Sequence, residues 1–223
     1  MFSNSKKSKT TKLLVGVAAT TALAVSLSAC SSDDSTDKAE GSSEGKVVAD
    51  IPELTGQTTA VKLDAGFVDA LTQLKLTPGV VGDAKLEAGS LIFPISGGNV
   101  TYYEPGSISP YVQGKINHEG SGFSLSAGGT KVDLTNFEID PGTSQLFGDV
   151  AVNGKSAVKD AFLFKLDGST LKPLQTEGDT AILEGTEVAI SKDAAPLLND
   201  TFKTDAVKPG LLVGTAEITI NTK

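Results

Sequence analysis

Short apolar runs separated by glycine-rich turns fill most of the chain beyond residue 90, and this pattern constrains the fold most strongly. Apolar and polar residues alternate in several runs, as expected for strands with one buried face. Gly97-Gly98-Asn99, Gly128-Gly129 and Asn153-Gly154 are typical of turns between strands. The runs predicted as strands are 91–95, 100–103, 112–118, 123–127, 131–139, 146–152, 161–166, 181–190 and 211–220.

Two segments carry helical spacing instead. Apolar residues recur every three or four positions from residue 63 to 76, with Asp64 as the cap and Thr77-Pro78-Gly79 as the stop. A second short helix is predicted over 193–202, with Ser191 as its cap. The sequence therefore predicts a mainly β fold, an antiparallel β-sandwich or barrel-like domain with one or two short packed helices.

One strand has an internal change of parity. Val132 and Leu134 share one parity, while Phe137 and Ile139 have the other. A β-bulge near Thr135-Asn136 would place all four side chains on one face. Two separate short strands would have the same effect, so both alternatives stay open at this stage.

The first thirty residues resemble the export signal of a bacterial lipoprotein. Four lysines and no acid occupy residues 1–12, and residues 13–29 are mostly small and apolar. The segment ends in Leu27-Ser28-Ala29-Cys30, which resembles a lipobox. The resemblance implies that residues 1–29 are removed and that Cys30 receives a diacylglycerol and further acyl chains such as palmitate. The alternatives are an uncleaved membrane anchor, or cleavage after Ala29 that leaves a free thiol.

The remaining chain divides into a tether and a domain. Residues 30–47 are rich in serine, glycine and acids, so beyond the lipidated Cys30 we expect a disordered tether. Residues 48–223 have the length of a single β-rich extracytoplasmic domain. Cys30 is the only cysteine, so the domain has no disulfide. The expected location is the extracytoplasmic side of the cell membrane, held by the lipid anchor.

The composition argues against several classes of function. Every basic residue is lysine, and removing the four lysines of the signal takes the net charge from −8 to −12. Nucleic-acid binding is not expected of an acidic chain without arginine. His118 is the only histidine, so zinc sites built from several His or Cys are excluded, and no catalytic motif is present. We therefore expect a protein that is not an enzyme and has no metal and no resident cofactor.

Four residues are candidates for ligand binding. His118 falls on the apolar side of its predicted strand, next to Glu119, and is either a buried histidine bonded to the backbone or a ligand contact. Tyr102, Tyr103 and Tyr111 are the only tyrosines and lie within ten residues of one another. Tyr102 and Tyr103 face opposite sides of a strand, so one is expected in the core and the other at a pocket or surface.

Acidic residues on neighbouring predicted strands form a further cluster. A close pair of carboxylates would suggest glycosidase-like chemistry, and several oxygens together could hold calcium. The favoured interpretation is a solvated strand face, because no loop has calcium-binding spacing. The residues are Asp133, Glu138, Asp140 and Asp149.

The segment from residue 86 to 150 resembles the Htaa-type domains of actinobacterial surface haem receptors. The segments that carry the resemblance are Phe93-Pro94-Ile95-Ser96-Gly97-Gly98, Gly114-Lys115-Ile116-Asn117-His118-Glu119-Gly120, Val132-Asp133-Leu134-Thr135-Asn136-Phe137-Glu138-Ile139-Asp140 and Leu146-Phe147-Gly148-Asp149-Val150. In those receptors a tyrosine near the domain start ligates iron and a histidine, matched by His118, supports it. The predicted helix 65–76 contains no tyrosine, which implies an altered site.

Three functions follow, in order of preference. The first is a membrane-anchored lipoprotein whose β domain binds a small ligand or an envelope partner without catalysis. The second is surface haem binding or relay through His118 and a nearby tyrosine. The third is an envelope hydrolase, for which no catalytic constellation is visible.

Overall fold

The computed structural model of the chain describes residues 45–223. The predicted signal, Cys30 and nearly all of the predicted tether lie outside the described residues. Within these residues there are thirteen strands, in chain order β1 (Val47–Ile51), β2 (Gln57–Leu63), β3 (Thr77–Gly82), β4 (Lys85–Glu87), β5 (Ser90–Pro94), β6 (Gly97–Tyr103), β7 (Val112–Ala127), β8 (Thr130–Asp140), β9 (Gln145–Val152), β10 (Lys155–Asp167), β11 (Gln175–Glu177), β12 (Thr180–Ile190) and β13 (Leu212–Asn221).

Both predicted helices are present, although the first ends at Gln73 and not near Leu76. Helix α1 (Ala65–Gln73) begins after Asp64, whose carboxylate accepts hydrogen bonds from the backbone amides of Gly66 and Phe67. Helix α2 (Ala194–Phe202) begins just beyond Ser191, whose hydroxyl oxygen accepts from two backbone N–H groups and donates to a carbonyl of β10. Neither helix is long and apolar enough to cross a membrane.

All the strand pairs are antiparallel, and the strands form one sheet. Its order is β1-β6-β7-β8-β9-β10-β12-β13-β2-β5-β4, with β3 paired to β7 and β11 paired to β12. The sheet is open, since β1 and β4 form its two edges. Short edge strands of this kind limit unwanted pairing with other chains.

The sheet bends over so that its two halves face each other. The chain passes from β5 to β6 through Ile95 and Ser96, although these strands lie near opposite ends of the sheet order. His118 on β7 contacts Thr59 on β2, although five strands lie between β7 and β2 in that order. This arrangement confirms the predicted fold class, a mainly β, sandwich-like antiparallel domain with short helices.

The predicted bulge in β8 is confirmed. Asn136 has a φ of 55°, and the register between β8 and β9 shifts from Thr135 to Glu138. The Asn136 side chain accepts from the amide of Gly120 and donates to Asp149, which holds the bulge between its neighbouring strands. The four apolar side chains before and after the bulge, at positions 132, 134, 137 and 139, are all buried. A single strand therefore carries both pairs.

Two interpretations of the glycine pattern were wrong. Gly97-Gly98-Asn99 is not a turn but the start of β6, and β5 and β6 do not pair with each other. At Gly98 a Cβ atom would lie 2.1 Å from the carbonyl oxygen of Lys115, so the glycine serves close approach of two strands. The runs 112–118 and 123–127 are also one strand, β7, with a register irregularity between His118 and Gly122.

Five strands had not been predicted from the sequence. They are β1, β2, β3, β4 and β11. Strand β3 begins at the Thr77-Pro78-Gly79 segment that was expected only to end α1, and strands β4 and β11 have three residues each. Strand β1 begins at Val47, which is the last residue of the predicted tether. These segments are short or polar, so apolar alternation does not reveal them.

Candidate ligand-binding site

A cavity of about 440 Å³ lies between the two halves of the sheet. One wall comes from β1, β6, β7 and β8, and the facing wall comes from β2, β12 and β13. Its buried lining is largely aliphatic and includes Val100, Ile116, Ile139, Val188 and Ala216. Walls of this kind favour an apolar occupant, because burying its surface there removes it from water.

The lining is exposed at one end of the cavity. Ser109, Lys165, Asp167 and Ser169 line this end and are exposed to solvent. The Asp167 carboxylate accepts hydrogen bonds from the amide and the hydroxyl of Ser169, and these bonds lower the pKa of Asp167. We call these four residues, on the loop before β7 and at the end of β10, the cavity opening.

Two of the three candidate tyrosines lie together near the opening. Tyr102 on β6 is buried, Tyr111 just before β7 is half-buried, and both line the cavity. Their ring centroids are 5.6 Å apart in an edge-to-face arrangement, which is a favourable aromatic geometry. Desolvation raises the pKa of Tyr111, and the neighbouring Tyr102 adds to the rise. The Tyr111 phenol is therefore protonated at neutral pH and is available for hydrogen bonding.

Tyr103 does not line the cavity. It follows Tyr102 on β6 and therefore faces the other side of the sheet. Its backbone amide donates to the carbonyl of Tyr111, 2.7 Å away. The sequence-based expectation that Tyr102 and Tyr103 face opposite sides agrees with this placement, and the side chain in the cavity is that of the buried residue.

His118 is among the most deeply buried large side chains of the domain. It is 1% exposed, and its ring packs edge-on against Phe93, with the centroids 6.3 Å apart. Its Nε2 atom lies 2.8 Å from the hydroxyl oxygen of Thr59, and its Nδ1 atom lies 3.4 Å from the carbonyl oxygen of Phe137. Both ring nitrogens therefore have partners inside the protein, while Glu119 faces solvent.

The surroundings of His118 determine its charge and tautomer. Burial lowers the pKa of His118 from 6.5 to about 4, although the contact with the Phe137 carbonyl opposes this change. The imidazole is therefore neutral at physiological pH. A carbonyl oxygen can only accept a hydrogen bond, so Nδ1 carries the proton and Nε2 accepts from Thr59.

The structure does not bring His118 and the tyrosines together. Tyr102 pairs with Val112 on β7, and His118 is six residues further along that strand. At about 3.3 Å per residue, this places the two sites roughly 20 Å apart along the strand. The tyrosine pair lies near the opening, whereas Thr59 and, behind it, His118 lie at the buried end.

The four acidic candidates do not form a metal centre. Glu138 pairs with Lys115, Asp149 pairs with Lys159, and Asp133 pairs with Lys131. The Asp140 carboxylate accepts from the amide of Thr143 in the turn after β8. Within residues 45–223, no group of three His, Cys, Asp or Glu side chains is placed to hold a metal ion.

Thr59 is the site residue that the sequence did not reveal. It is 3% exposed, it lines the cavity, and it makes the 2.8 Å contact with His118. The one signal was alternation in the sequence Thr59-Ala60-Val61, which is weak because threonine is polar. The contact spans 59 residues of sequence, so no local pattern could predict it.

Comparison with solved structures supports the fold. The chain is similar to the C-terminal domain of HtaA from Corynebacterium glutamicum, with a TM-score of 0.53 and 15% identity over 76% of this chain and 98% of that domain. This likeness confirms the predicted resemblance to Htaa-type domains at the level of the fold. No protein-family model matches the chain, and no curated protein matches it.

Two further structures are less similar. The N-terminal domain of HtaA from the same organism has a TM-score of 0.43 and 12% identity over 78% of this chain and 98% of that domain. The haem-binding protein HtaB of C. glutamicum has a TM-score of 0.44 and 9% identity over 76% of this chain and 94% of that protein.

Proposed function

We propose that the domain is a non-enzymatic binding domain that holds a small, largely apolar ligand in the cavity between the two halves of its sheet. The observation that carries this proposal is the cavity itself. Its volume of about 440 Å³ lies within the range of small-molecule sites, and aliphatic residues form most of its wall. The half-buried Tyr111 and the exposed opening would give a ligand access from solvent.

Filling the cavity tests this proposal. Ala216 is buried on β13 and lines the cavity, so Ala216→Leu places a larger side chain into the free space. Ala206 is exposed and lies outside the cavity, so Ala206→Leu is the matched control. We expect Ala216→Leu to weaken the binding of naphthalene, an uncharged apolar probe, by about tenfold in equilibrium dialysis, because ~1–2 kcal/mol of contact is lost.

The thermal stability of the same variants separates binding from folding. A side chain that enters a void gains contacts without strain, so Ala216→Leu should keep or raise the unfolding temperature. Absence of naphthalene binding to the unaltered chain would contradict the proposal. Equal binding by Ala216→Leu and Ala206→Leu would place the binding site outside this cavity.

We also propose that the domain is held at the extracytoplasmic face of the cell membrane by a lipid on Cys30. The lipobox-like segment ending at Cys30 supports this, together with the absence of any other cysteine. Two or more acyl chains anchor a protein stably, whereas one gives only marginal binding. Cys30→Ser should abolish incorporation of labelled palmitate and release the protein from the membrane fraction, whereas Ser31→Ala should leave both unchanged.

Haem is a second candidate ligand, suggested by the resemblance of the β7 segment to haem-receptor domains. Tyrosine can ligate haem iron, and Tyr102 and Tyr111 are the only side chains of an iron-ligating type that line the cavity. At the buried end the residues do not fit, because His118 contacts a threonine and both its ring nitrogens are occupied. Haem would therefore have to be held from the tyrosine end.

A haemin titration tests the second candidate. A bound haem should shift the Soret band, and Tyr111→Phe or Tyr102→Phe should weaken that shift, since each removes a phenol oxygen that could reach iron. His118→Gln should leave the shift in place, because His118 lies behind Thr59. A spectrum that the full chain leaves unchanged would remove haem from consideration and leave the apolar-ligand proposal intact.

A further inference from the structure

Thr59 is the one serine or threonine of the cavity lining that is buried. The residue is 3% exposed and lines the cavity, and its oxygen lies 2.8 Å from Nε2 of His118. Because Nδ1 of His118 faces the carbonyl of Phe137, Nε2 has no proton and must accept the hydrogen bond. Thr59 therefore donates its only hydroxyl proton to His118.

The acceptor capacity of the Thr59 hydroxyl is left unused. A hydroxyl oxygen can accept two hydrogen bonds, and no N–H or O–H group within residues 45–223 donates to this one. A ligand that supplies a donor would therefore gain a hydrogen bond to this oxygen without breaking the contact with His118. Donation to His118 also polarises the Thr59 O–H bond and strengthens its oxygen as an acceptor.

The charges around the cavity define the ligand further. Lys165 and Asp167 are the only charged residues of the lining, and both are at the opening. The buried end is formed by Thr59 among apolar side chains such as Val61 and Ile116. A charged group placed there would lose its hydration without a counter-ion, so an uncharged donor is favoured.

We propose that Thr59 determines the specificity of the cavity, selecting uncharged apolar ligands that carry one hydrogen-bond donor, a hydroxyl or an amide N–H, at the end that enters first. This inference rests on the proposed binding function and names its ligand class. His118 acts as a positioning residue, because it holds the Thr59 proton and turns the oxygen lone pairs toward the ligand.

Three probes of one shape test the inference. Naphthalene has no polar group, 2-naphthol adds a hydroxyl donor, and 2-methoxynaphthalene keeps the oxygen but lacks the donor. Binding to the full chain in phosphatidylcholine nanodiscs is measured by equilibrium dialysis, with empty nanodiscs as the background. We expect 2-naphthol to bind about three- to tenfold more tightly than either other probe, the range that one hydrogen bond provides.

Variants of Thr59 test whether its hydroxyl oxygen causes the preference for 2-naphthol. Thr59→Val should abolish the preference, so that 2-naphthol and naphthalene bind the variant with equal affinity, and Thr59→Ser should keep the preference. Thr58→Val is the matched control, since Thr58 is adjacent on β2 and does not line the cavity. If Thr59→Val fails to fold, Thr59→Cys replaces it, because sulfur is a weak acceptor and should lower the preference.

The outcomes separate the two proposals. Equal binding of the three probes by the unaltered chain would overturn the specificity inference and leave the binding function standing. No binding of any probe would overturn both. A preference for 2-naphthol that survives Thr59→Val but is lost in Tyr111→Phe would place the polar contact at the tyrosine pair and overturn the role of Thr59.

Discussion

Different interactions stabilise the two ends of the cavity. At the buried end, one hydrogen bond between the almost fully buried Thr59 and His118 joins the two halves of the sheet. At the open end, Tyr102 and Tyr111 meet edge-to-face beside exposed polar residues. Polar groups at the buried end must therefore be satisfied within the protein, while those near the opening can exchange partners with solvent.

Matched truncations at the two ends should show the largest difference. His118→Ala removes a fully buried ring and leaves Thr59 without its acceptor, so it should lower the free energy of unfolding by about 3–4 kcal/mol. Tyr111→Ala removes a half-buried ring and should cost about 1–2 kcal/mol. Urea unfolding followed by circular dichroism measures both. Equal costs would mean that the two ends contribute alike.

The stability of the buried end should depend on pH. The folded chain keeps His118 neutral down to about pH 4, whereas the unfolded chain takes up the proton near pH 6.5. Between these values the unfolded state binds more protons, so stability falls as the pH falls, by about 3 kcal/mol over the whole window. Unfolding free energies at pH 7, 5.5 and 4 measure this change.

His118→Gln provides the control for that prediction, because glutamine does not titrate. The lowered pKa values of Asp149, Asp167 and Glu184 also make stability fall at acidic pH, but these groups titrate below their usual range. Their contribution persists in His118→Gln, and the difference between the two curves isolates the histidine. Parallel curves for the two proteins would show that His118 does not titrate differently in the folded state.

Thr59→Val should remove the hydrogen bond at the buried end while leaving the packing there nearly unchanged. Valine has nearly the same shape as threonine but cannot donate to Nε2 of His118, which leaves a buried acceptor unsatisfied. We expect a loss of about 2 kcal/mol in unfolding free energy. The same change at Thr58, which does not line the cavity, should alter stability by less than about 0.5 kcal/mol. Similar losses at the two positions would indicate a general β-strand effect.

The smallest effect is expected at the open end. Tyr111→Phe removes a hydroxyl near solvent and should change the unfolding free energy by less than about 0.5 kcal/mol. Because burial raises the pKa of Tyr111, the ultraviolet titration of the folded chain should contain a tyrosine step above pH 10. That step should disappear in Tyr111→Phe. Its persistence would assign the raised pKa to another tyrosine.

Local signals predicted a large part of the fold. The Asn153-Gly154 turn is confirmed, with φ values of 50° and 76° in a hairpin between β9 and β10. The bulge at Asn136 was readable because parity is a property of neighbouring residues. In the same way, alternation placed His118 on the buried face.

Contacts between distant segments could not be predicted in this way. The role of Thr59 depends on β2 lying opposite β7. The two strands come to face each other only because the whole sheet folds over. Glycine occurs both in turns and where two strands approach closely, so the residue type alone does not reveal which role Gly98 has. The separation of His118 from the tyrosines depends on the pairing of Tyr102 with Val112, six residues before His118 on β7, and no local pattern predicts that pairing.

Because of the bulge in β8, substitutions in this strand and deletions or insertions in it have different consequences for the evolution of the domain. Most side chains can be replaced by others of similar size while the register is kept. Deleting the bulged residue Asn136 would reverse the facing of every later position of β8, turning Phe137 and Ile139 toward solvent. Homologous domains can therefore tolerate many substitutions in β8, but not an insertion or deletion at the bulge.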